Sequence, residues 1–361
     1  MKFQKLIALL TAAALAAAVF TGCGNSAVSS SEPSSEPSSA ASSEVSSEVS
    51  SEPSTAPESS EATDPIPDVA MNVAGLKGPT GLGMLKMMED SDAAESTPYT
   101  FTLAGAADEV VSKITTGELD IASVPSNLAA TLWNKTNGGV QVLGINALGV
   151  LYLVTKGETV NSLADLKGKT IISSGKGTTA QYTVEYLLKA NGIDPETDVT
   201  IDYKAEHADA ATAVASAETA IAVLPQPFVT TVTMQNADVS IALDLSVEWE
   251  NTTGEKLPMG VIIGRTEYVK ENPEAVNAFL DQYAASAEYV NANPADAAVL
   301  SEKFGLIKAA VAEKAIPYCN IVCLEGDEMK TALTGFYQVL FDFNPQTIGG
   351  TIPSEDFFYA R

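Results

Sequence analysis

The sequence predicts an α/β protein of two lobes, because segments typical of strands alternate with segments typical of helices along most of the chain. Two long apolar stretches, Val140 to Val154 and Val239 to Val247, interrupt this alternation, and each is long enough to cross from one lobe to the other. Two crossings predict that a middle lobe is inserted into a discontinuous outer lobe. We therefore expect residues 67–152 and 245–361 to form the first lobe and residues 153–244 the second.

Composition narrows the class of protein. The chain has 361 residues, of which 45% are hydrophobic, enough for a core in about two domains. Its 46 acidic residues against 20 basic ones give a net charge of -26, the opposite of the basic patch that binds nucleic acid. Three cysteines and one histidine do not suffice for a structural zinc framework. We expect no nucleic-acid partner, no metal and no cofactor.

The first residues predict export from the cytoplasm. Lys2 and Lys5 precede an apolar run from Leu6 to Phe20, broken only by Thr11. That run is shorter than the ~20 residues a helix needs to span a bilayer, so it is typical of a cleaved signal peptide. The residues Phe20-Thr21-Gly22-Cys23 resemble the lipobox of bacterial lipoproteins, although Phe20 stands where those proteins usually have an aliphatic residue. The resemblance implies lipidation of Cys23 and a signal peptide over residues 1–23; the alternative is an unmodified thiol.

Residues 24–66 predict a disordered tether. They are rich in Ser, Glu, Pro and Ala, with eight acidic residues and no basic one. Such a segment has no apolar face to bury, and its like charges repel. A glycosylated or partner-binding stalk is the alternative to a plain spacer.

The folded part is predicted to contain the following elements in order. Strands are expected at Asp68–Leu76, Tyr99–Ala104, Leu119–Val124, Thr170–Ser173, Val199–Lys204 and Ala220–Leu224. Helices are expected at Met84–Asp90, Ala107–Thr116, Ala180–Ala190, Glu274–Ala292 and Asp327–Phe341. Because each early strand leads into a helix, we expect mainly parallel sheets.

Three short segments carry a resemblance to a known group of proteins. They are Leu76-Lys77-Gly78-Pro79-Thr80-Gly81, Ile121-Ala122-Ser123-Val124-Pro125-Ser126-Asn127 and Leu224-Pro225-Gln226-Pro227. With the export signal and the acidic tether, they resemble the solute-binding lipoproteins of bacterial ABC importers, in the class for nitrate, sulfonates, taurine and thiamine precursors. The resemblance implies a type II periplasmic-binding fold with two interlobe crossovers. It also implies a monomer, anchored by lipid to the outer face of the cell membrane, that captures a small solute and delivers it to an ABC permease.

Four loops are candidates for the ligand site. In open α/β sheets, ligands bind beyond the carboxyl ends of strands, where helix N-termini expose unpaired N–H groups. For each residue the alternative role is turn or capping chemistry that the fold needs anyway. The candidates are Lys77, Gly78, Thr80, Gly81, Ser126, Asn127, Gly175, Gly177, Thr178, Thr179 and Gln226.

The residue types also bear on the ligand. Arginine forks usually bind carboxylates and sulfonates, yet Arg265 is the only arginine away from the C-terminus. An anion would therefore rely on helix N-termini, hydroxyls and Lys77 or Lys176. We therefore favour a neutral or aromatic nitrogenous compound. The aromatic residues considered for stacking on it are Tyr152, Tyr182, Trp133 and Trp249.

Nothing in the sequence predicts catalysis. No G-x-S-x-G motif is present, and His207 at a helix start is expected to be exposed or to cap the helix. Cys319 and Cys323, four residues apart, either form a disulfide or pack as small apolar groups. We expect a non-enzymatic binding protein; the alternatives are a ligand-sensing lipoprotein for a membrane receptor and an extracellular enzyme.

Overall fold

Two β-sheets, each covered by helices, organise residues 69–361, the part of the chain that the computed structural model describes. All of these residues belong to one compact unit. The predicted signal peptide, Cys23 and the tether lie outside the described residues.

The first sheet has six strands in the order β11-β4-β10-β3-β1-β2 and the second has five in the order β7-β6-β8-β5-β9. We call the parts built on them the first lobe and the second lobe. The strands are β1 Met71–Leu76, β2 Tyr99–Ala104, β3 Ile121–Pro125, β4 Val140–Ala147, β5 Leu151–Lys156, β6 Thr170–Ser174, β7 Thr200–Lys204, β8 Ala220–Pro225, β9 Val239–Asp244, β10 Gly260–Arg265 and β11 Ile321–Leu324.

Helices connect these strands and pack on the sheets. Those of the described residues are α1 Pro79–Leu82, α2 Leu85–Ala93, α3 Ala107–Thr116, α4 Ser126–Thr136, α5 Thr179–Ala190, α6 His207–Ser216, α7 Phe228–Gln235, α8 Leu245–Thr253, α9 Thr266–Glu271, α10 Pro273–Ala292, α11 Pro294–Lys303, α12 Ala309–Ala315 and α13 Gly326–Phe343.

Most predicted elements are present with similar bounds. Strand β2 and helix α3 begin and end where the sequence predicts, and α3 stops because Gly117 takes a left-handed conformation with φ of 80°. The predicted strand from Asp68 is seen as β1 from Met71.

The expectation of mainly parallel sheets is wrong in part, since both sheets are mixed. Strands β1, β2 and β3 pair in parallel, as do β6, β7 and β8, but β10 and β5 pair antiparallel to their neighbours. Each of these two strands is the first that the chain forms after crossing between lobes. It starts at the end of the sheet where the parallel strands finish, so it runs in the opposite direction.

The chain crosses between the lobes twice. The first crossing is the short segment 148–150 between β4 and β5, so the predicted boundary at residue 152 falls inside β5. The second passes through α8, which packs into both lobes: Leu245 lies in the second-lobe core and Trp249 in the first-lobe core.

Each sheet buries both of its faces. Along β10, Val261 and Ile263 belong to one core of the first lobe, whereas Ile262 belongs to the core on the opposite face. This alternation follows from the two-residue period of a strand, and it explains why the buried strands consist almost wholly of apolar residues.

The two cysteines of the described residues are free thiols. Cys319 follows a 3₁₀ turn and is buried, and Cys323 lies on β11. Burial raises the pKa of both thiols to about 12, so neither is a ready thiolate. They are packing residues in this structure.

Candidate functional site

A cavity of about 700 Å³ lies between the two sheets and is lined by residues of both lobes. Its walls are loops that follow the carboxyl ends of β1, β2, β6, β7 and β8. Eight of the predicted candidates line it, namely Lys77, Gly78, Thr80, Gly175, Gly177, Thr178, Thr179 and Gln226.

Three predicted candidates are not among the residues that line the cavity. Gly81 is buried, and a side chain there would collide with the carbonyl of Leu76. Ser126 is fully buried, and its carbonyl accepts a hydrogen bond of 2.8 Å from the Tyr337 hydroxyl. Asn127 is buried as well, and it bonds to the opposite lobe.

Asn127 joins the two lobes. Its Nδ2 donates to the carbonyl of Gly177 at 3.0 Å in the second lobe and to that of Thr347 at 3.1 Å in the first. Its backbone N–H donates to the Thr179 hydroxyl at 3.2 Å, and that hydroxyl donates to Asn127 Oδ1 at 3.1 Å. The amide is therefore saturated by protein contacts, and it forms a bridge across the base of the cleft.

Thr80 forms part of the first-lobe wall. Its hydroxyl accepts a hydrogen bond of 3.2 Å from the Leu76 N–H, which holds the turn from β1 into α1. Gly260 packs beside it: a Cβ on Gly260 would lie 2.7 Å from Thr80 Cγ2 and 2.8 Å from Asn146 Oδ1. Only glycine fits there without moving Thr80.

The loop before α5 forms part of the second-lobe wall. Gly175 and Gly177 have φ of 71° and 80°, which favours glycine, and the Thr178 hydroxyl closes the turn by donating to the Gly175 carbonyl at 2.6 Å. The Gly177 N–H donates to Gln181 Oε1 at 2.6 Å. This loop is a turn whose own groups are largely paired.

Gln226 is held by the helix that follows it. Its Oε1 accepts hydrogen bonds from the Thr230 N–H at 3.3 Å and from the Thr230 hydroxyl at 2.8 Å. Its backbone N–H donates to the carbonyl of Val150 in the crossing segment. Gln226 is buried and lines the cavity.

His207 lines the cavity, and the expectation that it is exposed or caps a helix is wrong. Glu206 is the N-cap of α6, so His207 begins the helix and its ring is half-buried. Its Nδ1 lies 2.6 Å from Ser174 Oγ, and its ring centroid lies 5.5 Å from that of Phe228. Burial lowers the pKa of His207 from 6.5 to about 4, so the imidazole is neutral near pH 7.

Charged residues also line the cavity. The cationic ones are Lys77, Lys176 and Lys204, and the acidic ones are Asp108 and Glu206. Lys204 is paired with Asp202 at 2.7 Å. The cleft lining thus has slightly more positive than negative side chains, although the chain carries a net charge of -26.

The aromatic residues proposed for stacking lie elsewhere. None of the four lines the cavity: Trp249 is fully buried against Tyr186 and Phe336, and Trp133 packs on Phe357. The aromatic rings that do line the cavity are Tyr203, His207 and Phe228.

The lining residues that the sequence analysis did not predict also lie beyond the ends of strands. Lys204, Glu206 and His207 stand where β7 leads into α6, which the sequence predicts as a strand followed by a helix start. The rule that ligands bind beyond strand ends identifies these three residues when it is applied to the loop after β7. Applied to the loop after β2, it identifies Gly105.

Comparison with solved structures defines the fold. A crystal structure of an ABC transporter from Parabacteroides distasonis aligns with a TM-score of 0.68 at 22% identity, covering 81% of this chain and 99% of that one. The periplasmic aliphatic sulphonate-binding protein of Escherichia coli aligns with a TM-score of 0.63 at 16% identity, covering 81% and 92%. The described residues therefore have the two-lobed type II periplasmic-binding fold.

Sequence comparison then identifies the family. Residues 104–297, just over half of the chain, match the model of the NMT1/THI5-like family, and the chain belongs to it. A Brucella abortus protein described as a candidate binding protein is 27% identical over 173 residues, which are 48% of this chain and 52% of that protein. The chain thus spans about half the length of the curated relatives it matches. Within the described residues, no helix combines the length and apolarity required to cross a bilayer.

Proposed function

We propose that this protein is the extracytoplasmic solute-binding component of an ABC importer, which captures a small molecule between its lobes and delivers it to a membrane permease. The observation that carries the proposal is the cavity of about 700 Å³, whose walls come from strand ends of both lobes. A ligand there contacts both lobes at once, so its binding favours the closed arrangement that a permease can distinguish from the open one.

The fold neighbours support this role. The two aligned structures are named as an ABC transporter and as a periplasmic aliphatic sulphonate-binding protein. Their folded parts and the described residues share one architecture over most of their lengths.

The cavity itself favours an organic solute. Pockets of roughly 300–1,000 Å³ accommodate ligands the size of drugs, whereas a bare nitrate ion would leave most of this cavity to water. Apolar side chains such as Val111, Val150 and Met259 line it alongside the polar groups. Among the classes that the sequence suggests, we favour a pyrimidine or an organic sulfonate over taurine or nitrate.

We also infer that acyl chains on Cys23 anchor the protein at the membrane. The cysteine lies outside the described residues, and its lipobox-like context supports the proposal. Metabolic labelling of expressing bacteria with radioactive palmitate tests it: the wild-type chain should incorporate label and Cys23→Ser should not. Equal labelling of both would contradict it.

Thermal-shift measurements on the full chain test the binding function. The panel contains organic sulfonates, nitrate, pyrimidines, purines and amino acids, and any solute that raises the melting temperature is then titrated by calorimetry. We expect Thr80→Ala and Gln226→Ala each to weaken binding about tenfold, because each removes a polar group of the wall.

The matched controls are the exposed Thr212→Ala and Gln235→Ala, which should bind as wild type. Unchanged affinity in both cleft variants would show that the ligand binds elsewhere. Chemical conversion of the solute would support the enzymatic alternative instead.

A further inference from the structure

His207 and Gln226 are two of the neutral polar side chains on the second-lobe wall of the cavity, together with Thr178, Thr179 and Tyr203. Apolar residues surround them, including Leu151, Pro225 and Phe228. What each polar group presents to a ligand depends on how its other atoms are already bonded.

Gln226 presents a donor. The backbone N–H of Thr230 can only donate, so the amide atom that faces it is the oxygen, and the Thr230 hydroxyl also contacts that oxygen at 2.8 Å. This leaves Nε2, with two N–H groups, as the donor atom of a residue that lines the cavity. No residue of the part of the chain that the structure describes accepts a hydrogen bond from it.

His207 presents a donor as well. Ser174 Oγ is buried and lies 2.6 Å from His207 Nδ1, and among residues 69–361 no other group accepts its hydroxyl proton. If Nδ1 carried the hydrogen, the serine proton would be left buried without an acceptor, which is unfavourable. The serine therefore donates to Nδ1, and the ring hydrogen is on Nε2.

We propose that His207 and Gln226 form a two-donor recognition wall: Nε2–H of each faces the bound molecule, so the ligand presents hydrogen-bond acceptors to this wall. Carbonyl oxygens, ring nitrogens and anionic oxygens fit it, whereas an ammonium group does not, because it offers only hydrogens. Ser174 is a positioning residue for His207, and Thr230 is one for Gln226. This inference rests on the proposed function, since it assigns the ligand to the same cavity.

The surrounding charges are compatible with that assignment. Lys77, Lys176 and Lys204 also carry only donors, and they line the same cavity. The acidic groups of the lining, Asp108 and Glu206, belong to exposed residues. An acceptor on the ligand therefore meets donors from both lobes.

The first test needs no ligand. His207 is the only histidine of the chain, so a two-dimensional ¹H–¹⁵N spectrum of the full chain with labelled histidine, purified without a histidine tag, shows this ring alone. At pH 7 we expect the Nε2–H tautomer in wild type and a mixture of tautomers in Ser174→Ala. An Nδ1–H tautomer in wild type, or an unchanged tautomer in Ser174→Ala, would overturn the proposal.

The second test uses two probes that share a phenyl skeleton, benzoate and benzylamine. Each is added at about 10 mM, a concentration at which weakly binding fragments occupy a site. We expect benzoate to shift the Nε2 resonance and benzylamine to leave it in place. Gln226→Glu replaces one donor by an acceptor of the same shape, and it should weaken benzoate binding about tenfold.

Gln235→Glu makes the same charge change at an exposed position on α7 and should bind benzoate as wild type does. An equal response to both probes, no response to either, or equal weakening by the two Gln→Glu variants would contradict the two-donor wall. A failed solute screen would count against the proposed function, whereas the tautomer measurement in the free protein tests the wall separately.

Discussion

At the scale of single residues, His207 shows how burial sets the chemistry of a side chain. An exposed histidine titrates near pH 6.5, but this ring lies against Phe228 with its Nδ1 bonded to Ser174. Desolvation disfavours the charged form, so the ring remains a neutral hydrogen-bonding group at physiological pH. The same residue on the outer surface would be partly protonated at pH 7.

We predict that His207 makes stability depend on pH in a defined window. Burial lowers its pKa from 6.5 to about 4, so between these values the unfolded chain binds a proton that the folded chain does not. The stability that the neutral ring contributes is complete above pH 6.5 and is lost as the pH falls through about 4. Urea unfolding of wild type and His207→Gln at several pH values measures this.

The wild-type free energy of unfolding should fall more steeply with decreasing pH than that of the variant. Wild type and His207→Gln have the same carboxylates and the same neighbouring residues Lys176, Lys204 and Glu206. The difference between their pH profiles therefore reports on the imidazole ring alone. Parallel pH profiles would show that the imidazole keeps its ordinary pKa.

At the scale of elements, the N-termini of α4 and α5 meet at the base of the cleft. Both helices start directly after the carboxyl end of a strand or its loop, one in each lobe, and Asn127 and Thr179 at their first turns bond to each other. Asn127 and Thr179 are residue types that usually cap helices, but here they join two helices. These two side chains, which the sequence predicts to bind a ligand, contact each other across the lobes instead.

We expect Asn127→Ala to weaken the contact between the lobes. The variant loses three side-chain hydrogen bonds in a buried site, and at about 0.5–1.5 kcal/mol each the free energy of unfolding should fall by ~1.5–4.5 kcal/mol. The ligand-free protein should also have a larger radius of gyration in small-angle X-ray scattering, because the lobes are held together less tightly.

Asn134→Ala is the matched control, since Asn134 Nδ2 donates only to carbonyls of the first lobe, those of Ile348 and Thr351. It should lower stability without changing the radius of gyration. The same radius in wild type and Asn127→Ala would mean that the bridge does not restrain the lobes.

At the scale of the whole molecule, the lobes meet again where the loop after β2 faces the loop after β7. A Cβ placed on Gly105 would lie 3.2 Å from the carboxylate carbon of Glu206, and both residues line the cavity. The Glu206 carboxylate of the second lobe therefore lies against the bare backbone of Gly105 in the first lobe. Glycine leaves the room for this approach.

We predict that Gly105→Glu opens the cleft more than Gly105→Gln. Both side chains fill the same space, but only glutamate adds a second negative charge beside Glu206, and like charges at short range repel. Small-angle scattering at low ionic strength should show the larger radius of gyration for Gly105→Glu, and added salt should reduce the difference. Equal radii at low salt would show that Glu206 does not face this position in solution.

Sequence patterns identified the local elements because their causes are local. The apolar period of α3, its terminating Gly117 and the strand pattern of β2 depend on neighbouring residues, and the structure confirms them. The rule that ligands bind at strand ends also found eight of the lining residues. Whether those residues hold a ligand stays a prediction that the binding experiments test.

The sequence by itself determined the alternation of strands and helices, the two crossings and the acidic charge, since each follows from composition or short-range periodicity. Only the tertiary structure decided which polar groups remain free. Asn127 bonds to the other lobe, whereas His207 and Gln226 line the cavity and each have one side bonded within the second lobe. A hydrogen-bonding group is available to a ligand only if the fold leaves it unpaired, and the partners of Asn127 and His207 lie dozens of residues away in the chain.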